Sequence, residues 1–404
     1  MKYDFTTILD RVGHDAIAVD LPTYSKGHFE NVKRKEGFDV IPMWVADMNF
    51  PVCPTIQETM KERIDHPTFG YFEPRDEYFD SIIAWQEKHN HVTDLKKENI
   101  GYENGVLGGV VSACKVLASR GDNILVHSPT YIGFTFSLKG SGFNIVNSDL
   151  KKDETGTWRM DYEDMEKKIV ENNIHTAIIC NPHNPTGRCW EKEELLKAME
   201  LFEKYEVQVI ADEIWSDIIL QDHHHTPVQC VNDYARKHTI AFYAPSKTFN
   251  LAGLIGSYHI VYDKWLNDRL CKESSTSHYN SMNVLSMYAL IGAYKPEGYE
   301  WTKELNETIT GNVDYACDFI EKNLDGVSCS KPQATYMLFI DCEEYCKKHD
   351  VTIDTLIERA WEHGVYYQDG RPFHGPYNIR INLALPLSRV EEAFSRLQKY
   401  VFND

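Results

Sequence analysis

Residues 239–253 read TIAFYAPSKTFNLAG, and Lys247 is the only Asp, Glu, Lys or Arg between Thr239 and Tyr262. With 25% of the chain charged, about six such residues belong in a window of that length. The run TIAFYAPS is apolar, β-branched and aromatic, the pattern of a parallel strand covered on both faces. An amine at the end of such a strand loses hydration, which lowers its pKa and makes it a better nucleophile. The alternative is a lysine whose stem lies along apolar surface with its head in water. From this window both readings stand.

Outward from this segment, apolar strands alternate with amphipathic helices. The expected strands are 123–128 (NILVHS), 143–149 (FNIVNSD), 176–181 (TAIICN), 207–212 (VQVIAD), 239–246 (TIAFYAPS) and 257–262 (SYHIVY). Helical stretches such as MDYEDMEKKIVENN and EKEELLKAMELFEKYE lie between them. The alternation predicts an α/β fold with a mostly parallel central sheet covered by helices. Such sheets bind ligands beyond the carboxyl ends of their strands. After about residue 290 charged helices dominate, with alternating strands in SKPQATYMLFID and YNIRINLAL, which predicts a smaller α+β domain. The first 45 residues hold no βαβ unit. The expected division is an N-terminal arm with part of the small domain over 1–48, a large domain over 49–290 and a small domain over 291–404.

The chain has 404 residues, enough for a large core. Its 42 basic and 61 acidic residues give a net charge of −19, which disfavours nucleic acid and anionic membranes as partners. The start, MKYDFTTILDRVGHDA, has no apolar segment of the secretory kind, and no run approaches the length of a membrane helix. Ten cysteines are scattered with no CxxC pair, the usage of reduced thiols in a cytoplasmic protein. No metal site is expected: the HHH at 223–225 lies in a polar, turn-like loop.

Three polar features stand at expected carboxyl ends of strands. TAIIC runs into NPHNPTG (181–187), VQVIA into Asp212 and Glu213, and TIAFYAP into Ser246 and Lys247. Each alone has an ordinary explanation as a turn, a helix cap or a surface lysine. Together they put an amide, a carboxylate and an amine along one edge of one sheet. A fourth feature is GYENGVLGGVVSACKVL, where Gly105, Gly108 and Gly109 open an apolar helix whose N-terminus offers backbone N–H groups to a phosphate. No G-x-G-x-x-G or Walker sequence occurs. A nucleophilic lysine, a carboxylate for a pyridine nitrogen and a phosphate cradle are what pyridoxal 5'-phosphate requires.

NPHNPTG, ADEIW and SKTFNLAG, in that order, resemble the fold-type I pyridoxal-phosphate enzymes of the class I/II aminotransferase superfamily. PMWVADMNFPVCP (42–54) and FGYF (69–72) resemble its cystathionine β-lyase-like branch, the MalY/PatB group of carbon–sulfur β-lyases. The resemblance covers nearly the whole chain and implies the aspartate aminotransferase-like fold. It makes Lys247 the lysine that carries the cofactor, Asp212 the partner of the ring nitrogen and Asn184 the donor to the ring's phenolic oxygen. Val106 and Leu107, through their backbone N–H groups, and Ser246, through its hydroxyl, would hold the phosphate. Tyr131 would stack on the ring, and Tyr71 would reach the phosphate of the neighbouring subunit in an obligatory homodimer. Arg380 would grip the substrate's α-carboxylate with its planar fork, and Val45 and Ala46 would meet substrate through their backbone.

Two positions depart from the wider superfamily. Where many relatives place a phosphate-pairing arginine, eight residues after the lysine, this chain has Ile255. Where aminotransferases place a tyrosine, three residues after the aspartate, it has Trp215, whose indole donates but cannot accept a proton. The activity the resemblance implies is α,β-elimination from an S-substituted cysteine such as L-cystathionine, giving a thiol, pyruvate and ammonia. Transamination on the same fold is one alternative. A regulatory role through a protein partner is another.

Overall fold

The computed structural model describes residues 1–20, 32–277 and 279–403. A seven-stranded sheet runs from edge to edge in the order Ile100–Glu103, Ser257–Ile260, Thr239–Tyr243, Gln208–Asp212, Thr176–Cys180, Asn123–Ser128, Asn144–Asp149. Neighbours are parallel except Ser257–Ile260, which is antiparallel to both strands beside it. Every residue of Thr176–Cys180 and Thr239–Tyr243 is buried, as the continuous apolar runs require. The register sets Cys180 opposite Asp212 and Asp212 opposite Phe242. The three chain segments that follow therefore leave the sheet side by side.

Besides small shifts such as the end of the 257–262 strand at Ile260, two differences from the sequence reading bear on the site. The strand expected over 239–246 stops at Tyr243, because Pro245 has no N–H to give a sheet and instead opens the short helix Pro245–Thr248, which carries Lys247. The edge strand Ile100–Glu103 was not among the expected strands. It is four residues long and contains Gly101, where a Cβ would lie 2.2 Å from the His259 ring of the neighbouring strand.

The helix Val106–Leu117 begins at Gly105, whose φ of +87° is open to glycine. A Cβ on Gly109 would lie 2.4 Å from the ring of Phe242, so this glycine lets the helix rest directly on strand Thr239–Tyr243. The helix N-terminus is thereby fixed beside the carboxyl ends of the central strands.

Beyond the large sheet, the helix Pro296–Asn323 buries Trp301, Leu305, Ile309, Val313, Ala316 and Ile320 along one face, a spacing that keeps to the helical period. Trp301 stacks on Phe249, two residues past Lys247, with centroids 5.3 Å apart. A four-stranded antiparallel sheet follows in the order Ser328–Cys329, Met337–Asp341, Asn378–Asn382, Gln368–Asp369. Its register places Arg380 between Phe339 and Gln368. The N-terminal segment Ile41–Pro42 pairs in parallel with Val365–Tyr366, which carries residues 44–47 over the carboxyl edge of the large sheet.

Candidate active site

Lys247 stands in the first turn after strand Thr239–Tyr243, partly buried. Its Nζ donates to the Ala46 carbonyl at 2.9 Å and lies 5.6 Å from the centroid of the Trp215 ring. Loss of hydration, reinforced by the Arg380 charge, pulls the amine down to about 8, against the opposing pull of Asp47 and Asp212. The snorkelling alternative is thereby set aside, since the head group meets a carbonyl and an indole inside a cleft. Thr248 donates to Asp217 Oδ2 at 2.7 Å, and Trp85 Nε1 donates to the other oxygen at 3.0 Å. These two bonds pin the short helix that aims the amine.

Asp212 is 3% exposed and accepts one hydrogen bond, from the Ile214 N–H at 3.2 Å. Burial pushes its carboxyl up to about 7, with Glu213 adding repulsion and Lys247 opposing it. A buried carboxyl with so little compensation has room for a cationic donor. Lys247 and Asp212 line a cavity of about 210 Å³ together with Val106, Leu107, Tyr131, Asn184, Trp215, Ser246 and Ile255. The first N–H groups of helix Val106–Leu117 have no partners within the helix and open onto this space. Ile255 sits at φ +54°, a left-handed conformation that β-branched residues rarely adopt, and supplies an apolar wall where a cation was the alternative.

The cavity adjoins a larger one of about 690 Å³, lined in part by Trp44, Val45, Ala46, Asp47, Gln368 and Arg380; Tyr131 and Lys247 line both. Arg380 is 4% exposed. Its Nη1 donates to Asn184 Oδ1 at 3.0 Å, and its Nη2 donates to the Trp44 carbonyl at 3.3 Å and to the Gln368 amide oxygen. The guanidinium lies 4.4 Å from the Phe373 ring centroid, and among the described residues its buried Nε has no partner. Loss of hydration lowers it to about 10, so it remains a cation at neutral pH. Among the described residues no carboxylate pairs with it. A buried, forked cation held only by neutral groups is chemically suited to receive a carboxylate.

The site thus gathers Lys247, Asp212, Asn184, Tyr131, Val106, Leu107, Ser246, Trp215, Ala46, Val45 and Arg380 around two adjoining cavities. Tyr71 is not brought to them. It is fully exposed on the outer surface, in a separate hollow with Phe69, Phe72 and Tyr102. Val45 lines the outer cavity, but its carbonyl accepts from Asn382 Nδ2 at 2.7 Å. Sequence reasoning missed Tyr336, which donates to the same Ala46 carbonyl as Lys247 at 3.0 Å, and Gln368, which braces Arg380. Residues 223–225 do lie in a loop, but within it the His225 side chain is buried and bonds Glu213 at 2.9 Å, which polar loop composition does not reveal.

These charges give the ligand-free chain a pH signature. Between 3.8 and about 7 the folded chain keeps a proton on Asp212 that the unfolded chain has lost, so this contribution to stability falls as pH rises. Lys247 acts in the opposite sense: its contribution is present above 10.5 and is lost as pH falls through about 8. Their summed contribution is lowest between about 7 and 8. Denaturant unfolding of wild type and Asp212→Asn across pH should show a stability difference that changes by roughly 2–4 kcal/mol between the acid and neutral ends of the Asp212 window. A pH-independent difference would mean that Asp212 is ionised throughout.

A family model described as aminotransferase class I and II matches residues 39–397. The cystathionine β-lyase PatB of Bacillus subtilis is 31% identical over 363 residues, covering 89% of this chain and 92% of that protein. A pyridoxal-phosphate-bound crystal structure from Clostridium difficile 630, with a provisional aminotransferase name, superposes with a TM-score of 0.89 at 32% identity over 100% of both chains. The pyridoxal-phosphate-bound C–S lyase of Staphylococcus hominis gives 0.87 at 28% identity, also over 100% of both chains.

Proposed function

Because the chain belongs to the aminotransferase class I and II family, we propose that it is a pyridoxal-phosphate-dependent carbon–sulfur β-lyase. It cleaves L-cystathionine or related S-substituted cysteines to a thiol, pyruvate and ammonia. The observation that carries this reading is the buried Arg380, a carboxylate receptor without a carboxylate, at the cavity that also holds the low-pKa amine of Lys247. The likeness to PatB and to the S. hominis lyase favours elimination over other chemistry of the family.

The residues present fit the cofactor. Asp212 is a buried carboxyl with a single backbone donor, as a cationic ring nitrogen requires of its partner. The helix N-terminus at Val106 and Leu107, with the Ser246 hydroxyl, suits a phosphate held without a basic side chain, in keeping with Ile255. Asn184 and Trp215 offer N–H donors along the cavity wall, and Tyr131 a ring face. When bound, pyridoxal phosphate supplies an aldehyde for Lys247 and an electron-withdrawing ring that takes up the electron pair left behind when an α-proton departs.

Arg380 would receive the α-carboxylate and so fix which bond at the α-carbon faces Lys247. Once free of the cofactor, the Lys247 amine, whose basicity burial lowers, would take the α-proton at Nζ as the β-thiolate leaves. The Ala46 carbonyl and the Tyr336 hydroxyl next to it give the protonated Nζ a place to rest. Asp212 stabilises positive charge at the inner end of the cavity.

The test is incubation of the holoenzyme with L-cystathionine and no keto acid. Sustained pyruvate formation over many turnovers is the expected result. One stoichiometric turnover that restarts on adding a keto acid would instead establish transamination, the reading favoured by the name of the C. difficile structure. Arg380→Lys, which keeps the charge and loses the fork, should raise KM by roughly 10–100-fold, the weight of one or two charge-assisted hydrogen bonds. An unchanged KM would remove Arg380 from substrate binding.

The assembly is proposed to be a homodimer in which Tyr71 reaches the partner's cavity, a reading supported by its full exposure beside Phe69 and Phe72. A fully active monomer in light scattering would contradict it. The division into 1–48, 49–290 and 291–404 is supported by the two sheets and by the pairing of Ile41–Pro42 with Val365–Tyr366. A cytoplasmic location is supported by ten free thiols. Among the described residues no helix is long and apolar enough to cross a membrane.

A further inference from the structure

We propose that Cys317 and Cys329 form a redox-active dithiol, a modification site that takes up a disulfide bond from low-molecular-weight disulfides such as oxidised glutathione. Their sulfurs lie 3.6 Å apart. Among the described residues they are the one pair of thiols in contact, although all ten cysteines are free. Cys317 lies near the C-terminal end of helix Pro296–Asn323, and Cys329 ends the two-residue strand Ser328–Cys329 packed against that helix. Both are half-buried, so a small reagent can reach them, whereas Cys342 and Cys346 nearby in sequence are buried.

Three features suit the pair to thiol–disulfide exchange. The contact itself lets one thiol donate to the other's thiolate, so one negative charge is shared between them. That contact, with the neighbouring Lys152, lowers the Cys329 thiol against the opposing effect of burial, while the same contact and burial push Cys317 up, so Cys329 is the thiol that ionises first. Ser328–Cys329 is an edge strand, paired on one side with Met337–Asp341 through Ser328 opposite Asp341 and Cys329 opposite Ile340. A two-residue edge strand can shift by the small distance that bond formation needs without breaking the rest of the sheet.

The exchange balances as follows. The Cys329 thiolate attacks one sulfur of the small disulfide, whose S–S bond breaks to release one thiolate and leave a mixed disulfide on Cys329. Cys317, deprotonated, then attacks the Cys329 sulfur; the mixed bond breaks, the second small thiolate leaves, and the Cys317–Cys329 bond forms. The protein dithiol loses two electrons and two protons, and the small disulfide gains them as two thiols. Neither sulfur lines the cavities around Lys247, so this inference stands apart from the reaction proposed there.

The holoenzyme is equilibrated in graded mixtures of reduced and oxidised glutathione, quenched with an alkylating reagent and mapped by peptide mass spectrometry with fragmentation. The expected result in wild type is a linked pair of peptides joining Cys317 to Cys329, lost when excess reduced glutathione is restored. Cys317→Ser should instead hold a glutathione adduct on Cys329, because the resolving thiol is gone. The proposal is overturned if both wild-type thiols remain alkylated under oxidising mixtures, if each carries its own glutathione, or if either pairs with another cysteine.

Discussion

Lys247→Ala should lower pyruvate release from L-cystathionine by about 10⁴-fold or more while leaving the fold intact. The expected loss combines two roles, the covalent hold on the cofactor and the base that takes the α-proton, and base catalysis alone contributes about 10²–10⁴-fold. The Nζ donates one hydrogen bond to Ala46 and has no carboxylate partner among the described residues, so its removal leaves no buried charge exposed. Removing an amine of lowered pKa also takes away a cation held at a cost, so circular dichroism and the unfolding midpoint should be close to those of wild type. Arginine at this position is a useful contrast: it keeps a cation but cannot serve as a base near neutral pH. Activity within tenfold of wild type in either variant would move the chemistry to another residue.

Asp212→Asn is expected to cost about 10²–10³-fold in kcat, the usual scale for removing one buried electrostatic partner from an active site. Asparagine fills the same volume and can still accept from the Ile214 N–H, so the change is close to a pure loss of charge. KM should move little, because Arg380, the proposed carboxylate receptor, lies on a different sheet and has Asn184, Gln368 and the Trp44 carbonyl as its partners. Glu213 gives a control. Although adjacent in sequence, it is engaged by His225, the Tyr243 hydroxyl at 2.6 Å and the Val228 N–H at 2.7 Å, a network on the far side of the strand end. Substituting Glu213 should therefore act on stability. If Asp212→Asn retained full kcat while Glu213→Gln lost it, the assignment of the two carboxylates would be reversed.

Much of the large sheet could be read directly, because strands buried on both faces are written as unbroken apolar runs: TAIIC and VQVIA lie within one residue of the expected bounds, and TIAFY begins at the expected residue but ends three residues early, before Pro245. The edge strand Ile100–Glu103 escaped notice since IGYE has neither alternation nor length, and its pairing is set by Ser257–Ile260 about 155 residues later. Lys247, Asp212 and Asn184 stood out by their places at strand ends. Tyr336 and Gln368 did not, because their relevance is created by tertiary pairing. Tyr336 reaches the Ala46 carbonyl only after the N-terminal segment has paired with Val365–Tyr366, and Gln368 meets Arg380 only through the antiparallel register of two short strands. The burial of His225 within its loop was overlooked for a related reason: polar loop composition gave no hint of the buried Glu213 beneath it.

The most direct measurement is borohydride reduction of the holoenzyme followed by peptide mass mapping. The expected result is a cofactor-derived mass on Lys247 alone, absent from the Lys247→Ala protein. The same mass on another lysine, or none on any lysine of an active preparation, would contradict the assignment of Lys247 as the residue that carries pyridoxal phosphate.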